Sequence, residues 1–282
     1  MSRLHLRLGD RYETLTWMVK KRVEDMDGVR RIVLIPDIHY PFEDRKACES
    51  VLKYCAANHV DEFVQLGDLL DINSVSAHNK GKPRLVEGER LMKDYTYAGK
   101  RLDEWTQAVR TKNTDCTLAL LQGNHEQRVN RFVEEHPALE GLIEPHIGLD
   151  LKRRGIRWIE SYPKGELYKS GHMYAHHGLY CGSHPAKKHV DHYGVNIFTG
   201  HCHTVQVHSK VLHGKNKTLI GATIGCLCRL DMPYLLGAPT AWQTAFAVIH
   251  MLPNGFFSWN IVSIFNGEFV GPDGHKYSWR GR

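Results

Sequence analysis

The chain has 282 residues, enough to bury a substantial core as one large α/β domain or two small ones. Its seven scattered cysteines are odd in number, which favours reduced thiols over a framework of disulfides. No apolar run approaches the length of a membrane span and the first residues lack a signal-peptide core, so we expect a cytoplasmic protein with no membrane partner. The net charge of +6 suits an anionic partner, and 19 histidines suggest a search for metal ligands.

The predicted elements indicate a layered α/β fold. Residues 10–27 carry apolar side chains at helical spacing and predict an amphipathic helix. After it, short apolar runs alternate with helical stretches, and the region from about 204 to 270 is rich in strands. Alternating β and α followed by a run of β predicts a sandwich whose second sheet is mostly antiparallel. The predicted strands are 31–36, 62–68, 117–124, 172–178, 196–203, 205–211, 217–225, 244–252 and 256–265, and the later helices are about 44–58, 86–112 and 184–193.

The chain shows no internal repeat and no low-complexity linker, so we predict a single domain. An N-terminal helix within residues 1–28 is expected to pack on a domain formed by residues 29–270. Residues 271–282 lack apolar periodicity and are expected to be loose.

Polar clusters follow five of the predicted strands. They are Asp37 and His39, Asp68 and Asp71, Asn124 and His125, His176 and His177, and His201 and His203. Ligands of α/β sheets gather at the carboxyl ends of strands, so these clusters should converge. In an extended backbone, residues two apart face the same side, which would let Asp37 and His39 hold one ion. A mixture of carboxylate, imidazole and amide suits Mn, Fe, Zn or Ni better than calcium.

The ordered series D-x-H, G-D-x-x-D, G-N-H-E, H-G and G-H-x-H resembles the calcineurin-like metallophosphoesterase superfamily, and the forms GNHEQR and HGLYCG resemble its small bacterial and phage members. The resemblance implies a four-layer α/β/β/α sandwich. It also implies a binuclear enzyme that hydrolyses phosphate mono- or diesters through a metal-activated hydroxide. The expected cofactors are two divalent metal ions, with Mn preferred and Fe, Zn or Ni as alternatives. The implied ligands are Asp37, His39 and His203 on one ion, Asp68 as the bridge, and Asn124, His201 and the histidine of H-G on the other.

The fourth cluster leaves the choice of histidine open. A glycine normally follows the ligand in the family, which favours His177 over His176. Cys202 lies between two paired histidines and is expected to face away from the metals. The C-x-C of Cys226 and Cys228 has no second cysteine pair, so packing is preferred to a zinc ribbon.

Three further residues are candidates for catalysis. The resemblance implies that His125 lies beside the metals, where a protonated imidazole can donate to the leaving oxygen. Asp71 can orient a ligand or cap the next helix. Arg128 can bind the phosphate through two hydrogen bonds or pair with Glu135.

The motifs leave the substrate open. One reading is a phosphorylated small molecule or nucleotide; another is DNA or RNA, as for a nuclease, because basic and aromatic residues interleave in segment 78–101. The competing explanation of that segment is a solvated helix face. GNHE also resembles Ser/Thr protein phosphatases, but the longer motifs of that branch are missing. A metal-free scaffold is disfavoured by the intact ligand set. The oligomeric state stays open.

Overall fold

The computed structural model describes residues 28–215 and 217–280, so the predicted N-terminal helix lies outside the described residues. No helix in these ranges is long and apolar enough to cross a bilayer. The strands are β1 (Arg30–Ile35), β2 (Glu62–Gln65), β3 (Thr117–Leu121), β4 (Ile156–Ile159), β5 (Tyr168–Ser170), β6 (Met173–His176), β7 (Asn196–Thr199), β8 (Val205–Leu212), β9 (Lys217–Ile224), β10 (Ala245–Met251), β11 (Phe257–Ser263), β12 (Glu268–Val270) and β13 (Lys276–Ser278). The α-helices are α1 (Arg45–Ala57), α2 (Leu91–Arg110), α3 (Gln127–Glu135), α4 (Pro145–Gly148), α5 (Leu151–Arg154) and α6 (Pro185–Tyr193).

The first sheet has the strand order β11-β10-β1-β2-β3-β4. Strands β1 to β4 are parallel, and β10 and β11 extend the sheet antiparallel beside β1. The last four residues of β1 are fully buried because both faces of the sheet are covered. A strand covered on both faces is a continuous apolar run, which is why β1 could be predicted from RIVLIP.

The second sheet has the strand order β5-β6-β7-β9-β8. Its three central strands are parallel, and only the edge strands β5 and β8 pair antiparallel. The prediction of a mostly antiparallel second sheet was therefore wrong at its centre. Helix α6 is the reason, because it forms the crossover that parallel β6 and β7 require.

The two sheets pack face to face, with helices on both outer sides. Between the sheets, Ile32 and Leu34 of β1 lie in one buried cluster with Phe198 of β7 and Ile224 of β9. Helices α1 and α2 cover the other face of the first sheet, and α6 covers the outer face of the second through Val190. The layers are thus α/β/β/α in one chain, and the fold that the family resemblance implies is confirmed.

Residues 271–280 include a strand that packs on the domain, so the expectation of a loose tail was wrong for these residues. Strand β13 pairs with β12, and the ring of Tyr277 stacks on Phe269 with 5.4 Å between centroids. The same ring lies 5.2 Å from Tyr54 of α1. The apolar contact comes from one aromatic residue in a three-residue strand. A strand this short has too few positions to show periodicity in the sequence.

The predicted helix 86–112 begins later than expected. Residues 73–86 form short 3₁₀ turns at Asn73–Val75, Ala77–Asn79 and Pro83–Val86, and α2 starts only at Leu91. Gly88 has φ +77°, a left-handed conformation that ends any continuous helix there. Segment 78–101 is therefore not one continuous helix face, because it is helical only from Leu91 onwards.

Candidate metal centre

The polar clusters after β1, β2, β3, β6 and β7 meet at one edge of the two sheets. The Nε2 atom of His39 lies 3.6 Å from Oδ2 of Asp68, and Nε2 of His177 lies 3.5 Å from the same oxygen. On the other side, Nε2 of His203 lies 3.3 Å from Oδ1 of Asp37. All five side chains are buried. The strand ends therefore converge as predicted.

The donor atoms of the described residues form four groups that could each hold a cation, and two of these groups share Asp68. Donor atoms of Asp37, His39 and Asp68 lie within 4.8 Å of one another, and so do those of Asp68, His177 and His201. Asp68 belongs to both groups. The side-chain amide oxygen Oδ1 of Asn124 lies 2.9 Å from Nε2 of His177, beside the second of these groups. One buried carboxylate is thus within reach of two sets of possible metal ligands.

The hydrogen bonds of the imidazole rings fit metal binding. The Nδ1 of His39 lies 3.2 Å from Oδ1 of Asp71, and that of His177 lies 2.9 Å from the carbonyl oxygen of Leu66. Each Nδ1–H donates to these oxygens, so Nε2 presents a lone pair to the cluster, as metal-ligating histidines do. The Nε2 atoms of His39 and His203 are only 3.2 Å apart, a contact that a cation between them would satisfy.

Burial and charge favour the ligand form at His39, His177 and Asp68. At His203 and His201 burial alone would lower the pKa, but hydrogen bonds to Asp37 and to Cys181, respectively, raise it. Burial lowers the pKa of His39 and of His177, which keeps both imidazoles neutral. Burial alone would raise the pKa of Asp68, but the surrounding histidines hold it below its usual range. An ionised carboxylate beside neutral imidazoles is the ligand form required for divalent cations.

The backbone of the ligand pairs differs from the extended conformation that the same-side argument assumed. Strand β1 ends at Ile35, and Asp37 and His39 have φ of 24° and 55°. His201 and His203 have φ of 68° and 58°. Left-handed backbone costs roughly 1–3 kcal/mol per non-glycine residue and persists where the surrounding structure imposes it. The pairs thus converge through strained turns instead of through strand alternation.

Two motif glycines are required by close approach. A Cβ on Gly123 would lie 2.2 Å from Oδ1 of Asp68, and one on Gly200 would lie 2.1 Å from Oδ2 of Asp37. Any larger residue would displace a carboxylate of the cluster. The glycines of G-N-H-E and G-H-x-H therefore make room for the aspartates of the neighbouring strands.

The structure distinguishes the two histidines of the fourth cluster. His176 uses both ring nitrogens, since Nε2 lies 2.9 Å from the carbonyl oxygen of Ser161 and Nδ1 accepts from the Gly178 N–H at 2.8 Å. His177 directs Nε2 towards Asn124 and Asp68. Only His177 therefore has a nitrogen available to the cluster.

Asp71, His125 and Arg128 form a connected group beside the donor atoms. Oδ1 of Asp71 lies 3.2 Å from Nδ1 of both His39 and His125, and its buried Oδ2 has no partner among the described residues. Arg128 donates to the Asp71 carbonyl oxygen at 2.6 Å and lies 3.0 Å from Nε2 of His125. Asp71 thus orients two histidines and caps no helix. Arg128 does not pair with Glu135, which instead binds Lys80 at 3.1 Å.

Two residues near the cluster were not identified from the sequence. Glu126 is fully buried and accepts backbone N–H bonds from Asp68, Leu70 and Gly123 at 2.8–3.0 Å, so it fixes the loops that carry the donors. Its presence in G-N-H-E was the available signal. Cys228 offers a sulfur near His39 and His203, although C-x-C was assigned to packing.

Cys202 behaves as predicted. Its Sγ lies 2.9 Å from the carbonyl oxygen of Tyr180, so the thiol points away from the donor cluster while the flanking residues turn towards it. The structure therefore gives Cys202 a packing role.

Helix α6 secures the loop that follows His177, and this contact predicts a pH effect. The buried His189 donates from Nδ1 to the Pro185 carbonyl oxygen and accepts at Nε2 from the Leu179 N–H at 2.9 Å. Burial lowers its pKa to about 4. The unfolded chain therefore takes up this proton first, and its contribution to stability is lost as pH falls from about 6.5 towards 4.

We expect His189→Gln to reduce the loss of unfolding free energy between pH 7 and pH 5 by about 1–2 kcal/mol, because glutamine keeps an acceptor but does not titrate. Urea unfolding in chelator at both pH values measures this difference. The exposed His213→Gln variant is the matched control and should follow the wild type. Equal pH dependence in all three proteins would show that His189 is not buried in its neutral form.

Comparisons with known proteins give distant relatives. No family model matches the chain. The "Gene 54 protein" of Mycobacterium phage L5 is 27% identical over 255 residues, which cover 85% of this chain and 96% of that protein. The "Gene 54 protein" of Mycobacterium phage D29 is 27% identical over 263 residues, with coverages of 88% and 98%.

Solved structures are also similar at low identity. Vps29 from Cryptosporidium parvum has a TM-score of 0.45 and 12% identity, covering 86% of this chain and 95% of that one. The nuclease MPE of Pseudomonas putida has a TM-score of 0.34 and 12% identity, with coverages of 80% and 85%. Similarities at these values assign no chemistry to this chain.

Proposed function

We propose that the chain is a calcineurin-like metallophosphoesterase that hydrolyses phosphate mono- or diesters with two divalent cations. The observation that carries the proposal is the sharing of Asp68 by two donor groups, each of which includes buried neutral imidazole. A site for one structural ion would not need a second group around the same carboxylate. If the strand ends carried separate hydrogen-bonded pairs at the surface, the Asp68 carboxylate would not be buried.

The proposed ligands are the two groups extended by His203 and Asn124, which lie beside them. One ion would be held by Asp37, His39 and His203 and the other by Asn124, His177 and His201, and Asp68 could serve both. Their mixture of nitrogen and oxygen donors suits Mn, with Fe, Zn and Ni as alternatives. Paired ions of this kind supply positive charge to the phosphate oxygens and lower the pKa of a bound water.

The remaining polar residues would act on the substrate. Arg128 lies at the edge of the cluster, where its planar guanidinium can form two hydrogen bonds with phosphate. His125 donates from Nδ1 to Asp71, which fixes the ring and aims Nε2 at the site. When phosphate draws Arg128 away from Nε2, that nitrogen can hold a proton for the leaving oxygen. Burial alone would lower the pKa of His125, but Asp68 and Asp71 reverse the direction and favour the protonated ring.

A substrate panel with Mn tests the proposal. The panel contains nitrophenyl phosphate, bis-nitrophenyl phosphate, cyclic nucleotides and single-stranded DNA. We expect Mn-dependent hydrolysis of at least the nitrophenyl esters, lost on chelation and restored by fresh Mn. A folded protein with Mn bound that hydrolyses no member of the panel would refute the assignment as a phosphoesterase.

A further inference from the structure

A cavity of about 370 Å³ lies beside the candidate metal centre, between helix α3 and the 3₁₀ turns of residues 73–86. Its size is within the roughly 300–1,000 Å³ of small-molecule sites. The cavity reaches the centre through Asn124 and Tyr162, and the ring of Tyr162 lies 6.0 Å from the rings of His177 and His201. A phosphate at the centre would therefore have its organic group at the mouth of this cavity.

One face of α3 forms a wall of the cavity. Arg128, Arg131, Phe132 and Glu135 all line it, and their spacing of three, four and seven residues places them on the same side of a helix. Arg128 lies at the end near the centre, and Phe132 lies one turn further along. The helix thus presents a cation for phosphate followed by an aromatic ring, in the order in which a nucleotide carries phosphate and base.

The inner surface suits a planar ring. The ring of Phe132 lies 4.4 Å from that of His136, and Val75 contributes apolar surface to the same cavity. Aromatic and aliphatic surfaces of this kind can hold the flat face of a heterocycle.

The charge of the cavity also favours an anionic ligand. Arg131 has no carboxylate partner within residues 28–215 and 217–280, while Lys80 and Glu135 neutralise each other at 3.1 Å. A guanidinium can stack on a base or contact a phosphate. The cavity therefore combines an aromatic surface with an available cation.

We propose that this cavity binds the nucleobase of a phosphate ester whose phosphate lies at the metal centre, so that the substrate class is nucleotidyl. This inference rests on the proposed function for the position of the phosphate. The same chemistry is offered by a free mononucleotide and by the end of a nucleic-acid strand, so the test includes both.

The test compares adenosine monophosphates with ribose 5-phosphate, which lacks the base, in the Mn-loaded protein. Stacking contributes about 1–3 kcal/mol per base, so wild type should show about 5- to 160-fold higher kcat/KM for the best adenosine monophosphate. Phe132→Leu should reduce this preference towards unity, and Arg131→Ala, which removes an exposed side chain, should reduce it in part. Phe265→Leu is the matched control at an exposed ring outside the cavity and should keep the full preference.

Adenosine binding to chelator-treated protein provides a readout independent of turnover. Calorimetry should detect binding to wild type and to Phe265→Leu, and weaker binding to Phe132→Leu. Equal kcat/KM for base-containing and base-free esters, with no adenosine binding, would overturn the cavity assignment and leave the phosphoesterase proposal intact. Adenosine binding without hydrolysis of any ester would refute the phosphoesterase proposal alone. Preference for an oligonucleotide over the mononucleotide would identify the strand as the source of the base.

Discussion

Replacing Asp68 by alanine is expected to abolish turnover and to reduce the bound metal below two ions per chain. Among the described residues, Asp68 is the carboxylate that belongs to both donor groups, so its loss should weaken both sites at once. Changes in groups that only support a ligand typically cost 10–100-fold, so a loss greater than about 100-fold is expected here. Metal analysis after Mn loading and nitrophenyl phosphate turnover measure the two effects.

The control for this change has to separate metal loss from misfolding. The Asp68 side chain also accepts a hydrogen bond from the backbone N–H of His125 at 2.9 Å. The Asp68→Asn variant keeps an oxygen for that bond and removes the charge. Asp231→Ala is the matched surface control, because Asp231 is exposed and pairs only with Arg229 among the described residues. Full activity and two Mn ions in Asp68→Ala would exclude the bridging role.

His125→Asn is expected to distinguish acid catalysis from metal binding. A leaving alkoxide needs a proton in the transition state, whereas nitrophenolate departs without one. The variant should therefore lose about 10²–10⁴-fold in kcat with alkyl or nucleotide esters and little with nitrophenyl esters. Its Mn content should stay at the wild-type value, because His125 directs Nδ1 to Asp71 and lies outside the two groups that share Asp68, although it forms a separate group with His39 and Asp71.

Other outcomes for His125→Asn have distinct meanings. Equal losses on both classes of ester with Mn retained would assign the imidazole to phosphate charge or water orientation instead of proton donation. Loss of Mn would make His125 a ligand or the support of one. The matched control is His213→Asn, an exposed histidine that should leave both activities unchanged.

The fold could be predicted where both faces of a strand are covered. Strands β1, β3 and β10 are continuous apolar runs, and their buried positions follow from the four layers. Short strands such as β4 and β5 carry only three or four residues, too few for a periodic signal. The pairing of the second sheet depends on the α6 crossover, which strand patterns alone do not specify.

The candidate site could be predicted through its motifs and only partly through its geometry. Asp37 and His39 do face one cluster, but through left-handed turns that the extended-strand argument did not contain. Glu126 and Cys228 contribute contacts that arise from tertiary packing across elements distant in sequence. Residues 73–86 form one wall of the cavity beside α3. Their 3₁₀ turns are too short to give a periodic pattern in the sequence.

The number of Mn ions bound per folded chain tests the central claim most directly. The protein is stripped with chelator, loaded with Mn, freed of excess metal and analysed for metal and protein at neutral pH. We predict two Mn ions per chain in wild type and fewer in Asp68→Ala. A folded wild-type chain that binds no Mn, or a single ion unaffected by the loss of Asp68, would contradict the proposal of a two-ion site.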